Sequence, residues 1–84
     1  MKIFVGNLAT KTVEQDLLHA FQVFGDIGHV NIAKTTSNGQ SRGFGYVDVP
    51  LENEGQAAII GLNGASLHGQ RLRVSEAHRK KDAR

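Results

Sequence analysis

Arg42-Gly43-Phe44-Gly45-Tyr46-Val47-Asp48-Val49 is the stretch whose reading decides how this chain folds. It sets two aromatic rings two residues apart, behind an arginine and between glycines. In a strand, successive side chains point to opposite faces. Arg42, Phe44 and Tyr46 then share one face, and Gly43, Gly45, Val47 and Val49 share the other. Rings normally fill a core, yet here the glycines and valines make the better core row. The inversion describes a sheet whose aromatic face is left open for a flat ligand to stack on.

Outward from this strand, the rest of the chain divides cleanly. A polar turn, Thr35 to Ser41, precedes it and carries the hairpin signal Asn38-Gly39. Before that turn a second strand is expected over Ile27 to Lys34, with Val30 and Ile32 on one face. A first strand is expected over Lys2 to Asn7, broken by Gly6-Asn7. Between these two, Thr12-Val13-Glu14-Gln15 reads as a capping box with Thr12 as N-cap. Val13, Leu17, Phe21 and Phe24 follow at helical spacing, joined by Leu18 and Ala20, and Gly25 takes the C′ position. After Pro50, Glu52 to Leu62 reads as a second helix with Gly55, Ala58, Ile59 and Leu62 inward. An interior glycine costs about 1 kcal/mol against alanine, and a close helix–sheet approach would explain Gly55. Leu62-Asn63-Gly64 closes that helix, Leu67-His68-Gly69-Gln70 makes a tight turn, and Arg71 to Ala77 is the fourth strand, with Leu72 and Val74 inward.

The order is β-α-β-β-α-β. Right-handed crossovers in each half give an α+β, ferredoxin-like sandwich: a four-stranded antiparallel sheet in the order 4-1-3-2 with two helices on one face. One domain spans residues 1–77, and residues 78–84 form a basic, flexible tail. With the helices on one side, the inward row is Ile3, Val5, Val30, Ile32, Val47, Val49, Leu72 and Val74. The open row carries Lys2, Phe4 and Gly6, then His29, Asn31 and Ala33, then Arg42, Phe44, Tyr46 and Asp48, and finally Arg73 and Ser75. Three of the five aromatic residues thus converge on the open face of the two central strands.

Composition narrows the function. The 84 residues suit one domain, and the absence of cysteine excludes disulfides and thiolate metal sites. No apolar run approaches the roughly 20 residues needed to span a bilayer, and the N-terminus lacks a signal-peptide pattern. The net charge of +2 says little, but its distribution says more. Glu14, Asp16, Glu52 and Glu54 fall on the helices, while Lys2, Lys34, Arg42, Arg71 and Arg73 fall in or beside strands. An acidic helical side and a basic sheet side are the footprint of a polyanion partner.

Two segments resemble the signature motifs of the RNA recognition motif family. Ile3-Phe4-Val5-Gly6-Asn7-Leu8 is similar to its RNP2 hexamer, and Arg42 to Val49 to its RNP1 octamer. Leu62-Asn63-Gly64, Leu67, Gly69, Leu72 and Val74 resemble the end of the second helix and the fourth strand of that family. Val49 departs from the pattern, where an aromatic is usual; by alternation it faces the core, so the change concerns packing. The resemblance implies single-stranded RNA as partner, with Phe4 and Tyr46 each stacking on a base and Phe44 packing against the ribose between them. It implies a phosphate for Arg42 and phosphates or base edges for Lys2 and Arg73. Asn31, Ser75 and the Glu76-Ala77 backbone are candidates for choosing among bases. Asp48 is an acid on the open face that either repels phosphate or accepts from a base amino group. About two to four nucleotides and a modest affinity, micromolar or weaker, are expected, because the Thr35–Ser41 loop carries no charge and there is one domain.

Other chemistries fit less well. Gly43-x-Gly45 lacks the third glycine and the strand-to-helix setting of a dinucleotide fingerprint. His19, His29, His68 and His78 have no metal-like spacing, and no nucleophile or acid/base pair presents itself. No enzyme activity, cofactor or metal is therefore expected. The rival is a protein-binding module of the same fold, although such domains usually lose or cover the sheet rings. Single-stranded DNA offers the same ring faces as RNA. The chain is expected to be a monomer with no membrane partner. Its compactness resembles the small single-motif RNA-binding proteins of bacteria, which implies the cytoplasm, or the nucleus or an organelle if the source is eukaryotic. An RNA-chaperone role or post-transcriptional regulation follows from resemblance alone.

Overall fold

The structure, a computed structural model, describes residues 1–34 and 41–77, without the side chains of Ser41 and Arg42. The Asn38-Gly39 turn and the 78–84 tail lie outside the described residues. The elements run β1 (Lys2–Gly6), α1 (Glu14–Gln22), β2 (His29–Lys34), β3 (Ser41–Asp48), α2 (Glu52–Leu62), β4 (Ser66–Leu67), β5 (Gln70–Arg71) and β6 (Arg73–Glu76). Four strands form an antiparallel sheet in the order β2-β3-β1-β6, which is the expected 4-1-3-2 arrangement read from the other edge.

The core follows from the alternation. Ile3, Val5, Ile32, Val47, Val49, Leu72 and Val74 from the sheet join Leu17 and Phe21 of α1 and Ala58 of α2 in one buried cluster, with Val30 half-buried at its rim. Val49 is 2% exposed, so the octamer's aliphatic last position is a core residue. Gly55 is buried where α2 lies on β1: a Cβ there would sit 3.6 Å from Ile3 Cδ1 and run into the Met1 thioether. The close approach explains a glycine that helix propensity alone disfavours.

Four local expectations shift. Thr12 is not the N-cap of α1: Val13 holds that position, and Thr12 is buried with its hydroxyl unpartnered among the described residues. A valine offers no side-chain acceptor, so only the reciprocal half of the capping box forms, with the Val13 N–H donating to Asp16 Oδ2 at 3.0 Å. Gly25 falls two residues past the C-cap Val23, at φ 151°, where the Glu54 side chain folds over it. The second strand starts at His29 rather than Ile27. The segment read as one fourth strand divides at Leu72. Gln70–Arg71 pairs with Ser66–Leu67 in a small hairpin, and only Arg73–Glu76 joins the main sheet. His68 and Gly69 turn that hairpin at φ 53° and 82°, the paired positive values of a type I′ turn.

No helix among the described residues is long and apolar enough to cross a membrane. The hairpin is tied back to α1 through His68 Nε2, which lies 3.0 Å from Asp16 Oδ2. An ionised carboxylate only accepts, so Nε2–H donates. The Val13 N–H first, and His68 second, hold the Asp16 carboxyl below its ordinary range. A folded carboxyl lowered in this way adds stability that is complete above its unfolded pKa and is lost as pH falls through the folded one. The thermal midpoint of Asp16→Asn should therefore lie below that of the parent at about pH 7, with the gap closing toward about pH 2, below the ordinary carboxylate range. A gap constant across that window would show that Asp16 does not act through its charge.

Candidate functional site

Backbone pairing arranges the open face as three rows across the sheet. Tyr46 stands opposite Phe4 on one side and Asn31 on the other, and Phe4 stands opposite Ser75. The middle row thus reads Ser75, Phe4, Tyr46, Asn31. On one side of it lie Arg73, Gly6 and Phe44, which face each other across β6, β1 and β3. On the other lie Lys2, Asp48 and His29 across β1, β3 and β2. Two-residue alternation delivers all of these side chains to the face opposite the helices.

The rings of Phe4, Phe44 and Tyr46 touch one another there and are covered by no element among the described residues. Phe4 stacks on Phe44 with centroids 6.0 Å apart and planes 30° from parallel. Tyr46 meets Phe4 at 5.8 Å and 65°, and Phe44 at 6.3 Å and 83°, both edge to face. Such pairs favour these offset and edge geometries. Each of the three rings is half-buried. Gly6, although on the open row, is buried. The Phe4 ring lies down along the strand over it, so that a Cβ on Gly6 would stand 2.9 Å from Phe4 Cε2. A side chain at that position would lift the ring off the sheet.

The polar members of the site separate by what holds them. Lys2 sets its ammonium 5.2 Å from the Tyr46 ring centroid, a cation–π contact. Arg73, Asn31 and Ser75 are exposed. Ala77 is only partly available: its N–H donates to the Lys2 carbonyl at 2.9 Å and continues the ladder. Arg42 lies on β3, but its side chain is outside the described residues. Lys34, counted among the sheet's cations, turns to the helix side, where Nζ meets Glu14 Oε2 at 2.8 Å and holds that carboxyl below its usual range. Arg71 belongs to the hairpin. Among the described side chains, the basic rim of the rings therefore reduces to Lys2 and Arg73.

Sequence reasoning passed over Asn7. It adopts φ 60°, a left-handed conformation that asparagine tolerates, and its Nδ2 donates to the Arg71 carbonyl at 2.7 Å. This bond anchors the exit of β1 to the hairpin beside Arg73. Asn63 does similar work at the sheet edge, where Oδ1 accepts the Val74 N–H at 3.0 Å. An asparagine just after a strand or helix end was the available signal. Among the described residues no group of three or more His, Cys, Asp or Glu is placed to hold a metal.

The family model described as RNA recognition motif matches residues 3–73. Glycine-rich RNA-binding protein 1 of Mycosarcoma maydis is 40% identical over 77 residues, covering 92% of this chain and 44% of that protein. The provisionally named RNA-binding protein RbpD of Nostoc is 36% identical over 84 residues, covering all of this chain and 89% of the relative. Among solved structures, a Sex-lethal protein–RNA complex superposes with a TM-score of 0.89 at 31% identity, covering 93% of this chain and 47% of that one. The chain thus spans less than half of the fungal relative and most of the Nostoc one.

The bed that Gly6 leaves for Phe4 can be tested without any ligand. Gly6→Ala should raise the Phe4 ring and break its stacking on Phe44, which moves the ring-proton NMR shifts of both residues while backbone shifts on the helices stay put. Ring shifts identical to the parent's would show that the methyl is accommodated without moving the ring.

Proposed function

Because the chain belongs to the RNA recognition motif family, we propose that it is a single-stranded RNA-binding protein that holds about two to four nucleotides on the open face of its sheet. The family and the relatives' names support RNA binding and a non-catalytic domain. The observation that carries the finer reading is the contact cluster of Phe4, Phe44 and Tyr46 on the uncovered face. Half-buried rings on a sheet face gain from a planar guest that completes their burial.

In this reading one base stacks on Phe4 and the next on Tyr46, and Phe44 packs against the sugar between them. Lys2 leaves the Tyr46 face when the base arrives. An exposed cation–π contact is worth about 0.5–1 kcal/mol and base stacking about 1–3 kcal/mol, so the base wins. Arg42, Arg73 and the displaced Lys2 supply cations for phosphates, and Asn31, Ser75 and the Ala77 carbonyl meet base edges. With few cations among the described side chains the affinity is micromolar or weaker and the salt slope shallow, at about −0.7 per neutralised phosphate. The cellular role that fits a small stacking module is post-transcriptional regulation or RNA chaperoning.

Titration with random single-stranded RNA and DNA pools tests the reading. RNA should be retained more tightly than DNA. Phe4→Ala and Tyr46→Ala should each weaken RNA binding by about fivefold to 150-fold, with thermal midpoint and monomer state unchanged. A log–log salt slope steeper than about −4 would mean that the phosphate contacts are too few. Retention of neither pool at high protein concentration would sink the reading, and loss of a dimer on ring removal would make the rings a protein interface instead.

A further inference from the structure

We infer that Asp48 is a specificity-determining residue that selects, for the position over Tyr46, a base carrying an exocyclic amino group and rejects uracil. The inference rests on the RNA-binding reading above and adds to it the chemical class of base. A recess adjoining the Tyr46 ring is lined by Lys2, His29, Asn31, Tyr46 and Asp48. Asp48 follows Tyr46 by two residues on the same face, a distance of about 7 Å along a strand. A pyrimidine lying on the Tyr46 ring spans most of that gap, which brings its outer edge to the carboxylate.

The other groups in the recess do not discriminate. The Asn31 amide carries both donors and an acceptor, and an imidazole such as that of His29 donates or accepts according to its tautomer, so either turns to suit any base edge. Lys2 only donates, and every pyrimidine offers it a carbonyl. An ionised carboxylate only accepts. Cytosine presents an amino donor at the position where uracil presents a carbonyl oxygen. With the C4 substituent turned to Asp48, the first forms a charge-assisted hydrogen bond and the second sets two acceptors face to face.

The carboxylate is also available. Its side chain is 58% exposed, and the cross-strand Lys2 places its ammonium over the Tyr46 ring. The one cation within ion-pair reach among the described residues is the Met1 amino group, at 4.0 Å, and its hydrogen bond goes to the Val49 carbonyl. An acid on a surface that meets phosphates costs affinity for every RNA, and selection among bases is what that cost returns.

Oligocytidine and oligouridine of equal length test this, because both pyrimidines present a single ring for stacking. The parent protein should bind oligocytidine at least about tenfold more tightly, within the range of one good base-edge contact. Asp48→Asn, whose amide can donate to uracil, should bring the two within about threefold by strengthening oligouridine. A parent ratio near one, or a ratio that Asp48→Asn leaves unchanged while RNA still binds, overturns the assignment of Asp48 and leaves the RNA reading standing. Failure of both oligonucleotides and of the random RNA pool to bind overturns both.

Discussion

The pairing of β1 with β3 in the register that sets Phe4 against Tyr46 is the constraint on which everything else in this molecule depends. Side chains alternate across a sheet, so a slip of one residue would turn every ring to the helices and every valine to water. The register is held from the buried side. Ile3 faces Val47 in the same ladder, and both are wholly buried under the helices. Burying an aliphatic side chain is worth about 1.5–3 kcal/mol. The core row thus pins the position of the rings, and the rings need contribute little to the fold themselves. This division leaves the composition of the open face largely unconstrained by the core.

Close approach of backbone to side chain shapes both faces. Gly55 lets α2 settle on β1, and Gly6 lets the Phe4 ring recline on the same strand from the opposite side. In each case the missing side chain makes room for a particular neighbour. The two asparagines fasten what the glycines admit. Asn7 ties the end of β1 to the hairpin, and Asn63 satisfies the outer edge of β6. The platform is therefore supported at its rim by polar bonds and beneath by packing.

Electrostatics is the part that the tertiary structure rearranges most. Charges counted along the chain suggest a broadly basic sheet. In space Lys34 is drawn to Glu14 on the helix side and Arg71 is carried off in a hairpin. Among the described side chains, Lys2 and Arg73 are the cations left around the rings, with Asp48 placed among Lys2 and His29.

The fold and the shared face of the aromatic rings were legible in the chain because both rest on alternation, and a period of two needs no knowledge of distant contacts. Phe4, Phe44 and Tyr46, the element order and the buried position of Val49 all follow from it, as does the two-motif resemblance to an RNA-binding family. What could not be read depends on partners far apart in sequence. Thr12 looked like a cap by its local pattern, yet it is buried and Asp16 supplies the bond. The fourth strand looked continuous, yet Leu72 breaks it, because its N–H is taken by Ala65 and its carbonyl by Gly64. The Ala77 backbone was a candidate for base contacts, and the ladder to Lys2 consumes its N–H. By itself the sequence determined which residues share a face. Only the tertiary structure decided which of their polar groups remain unspent, since a donor or acceptor is taken by whatever the fold brings within hydrogen-bond reach.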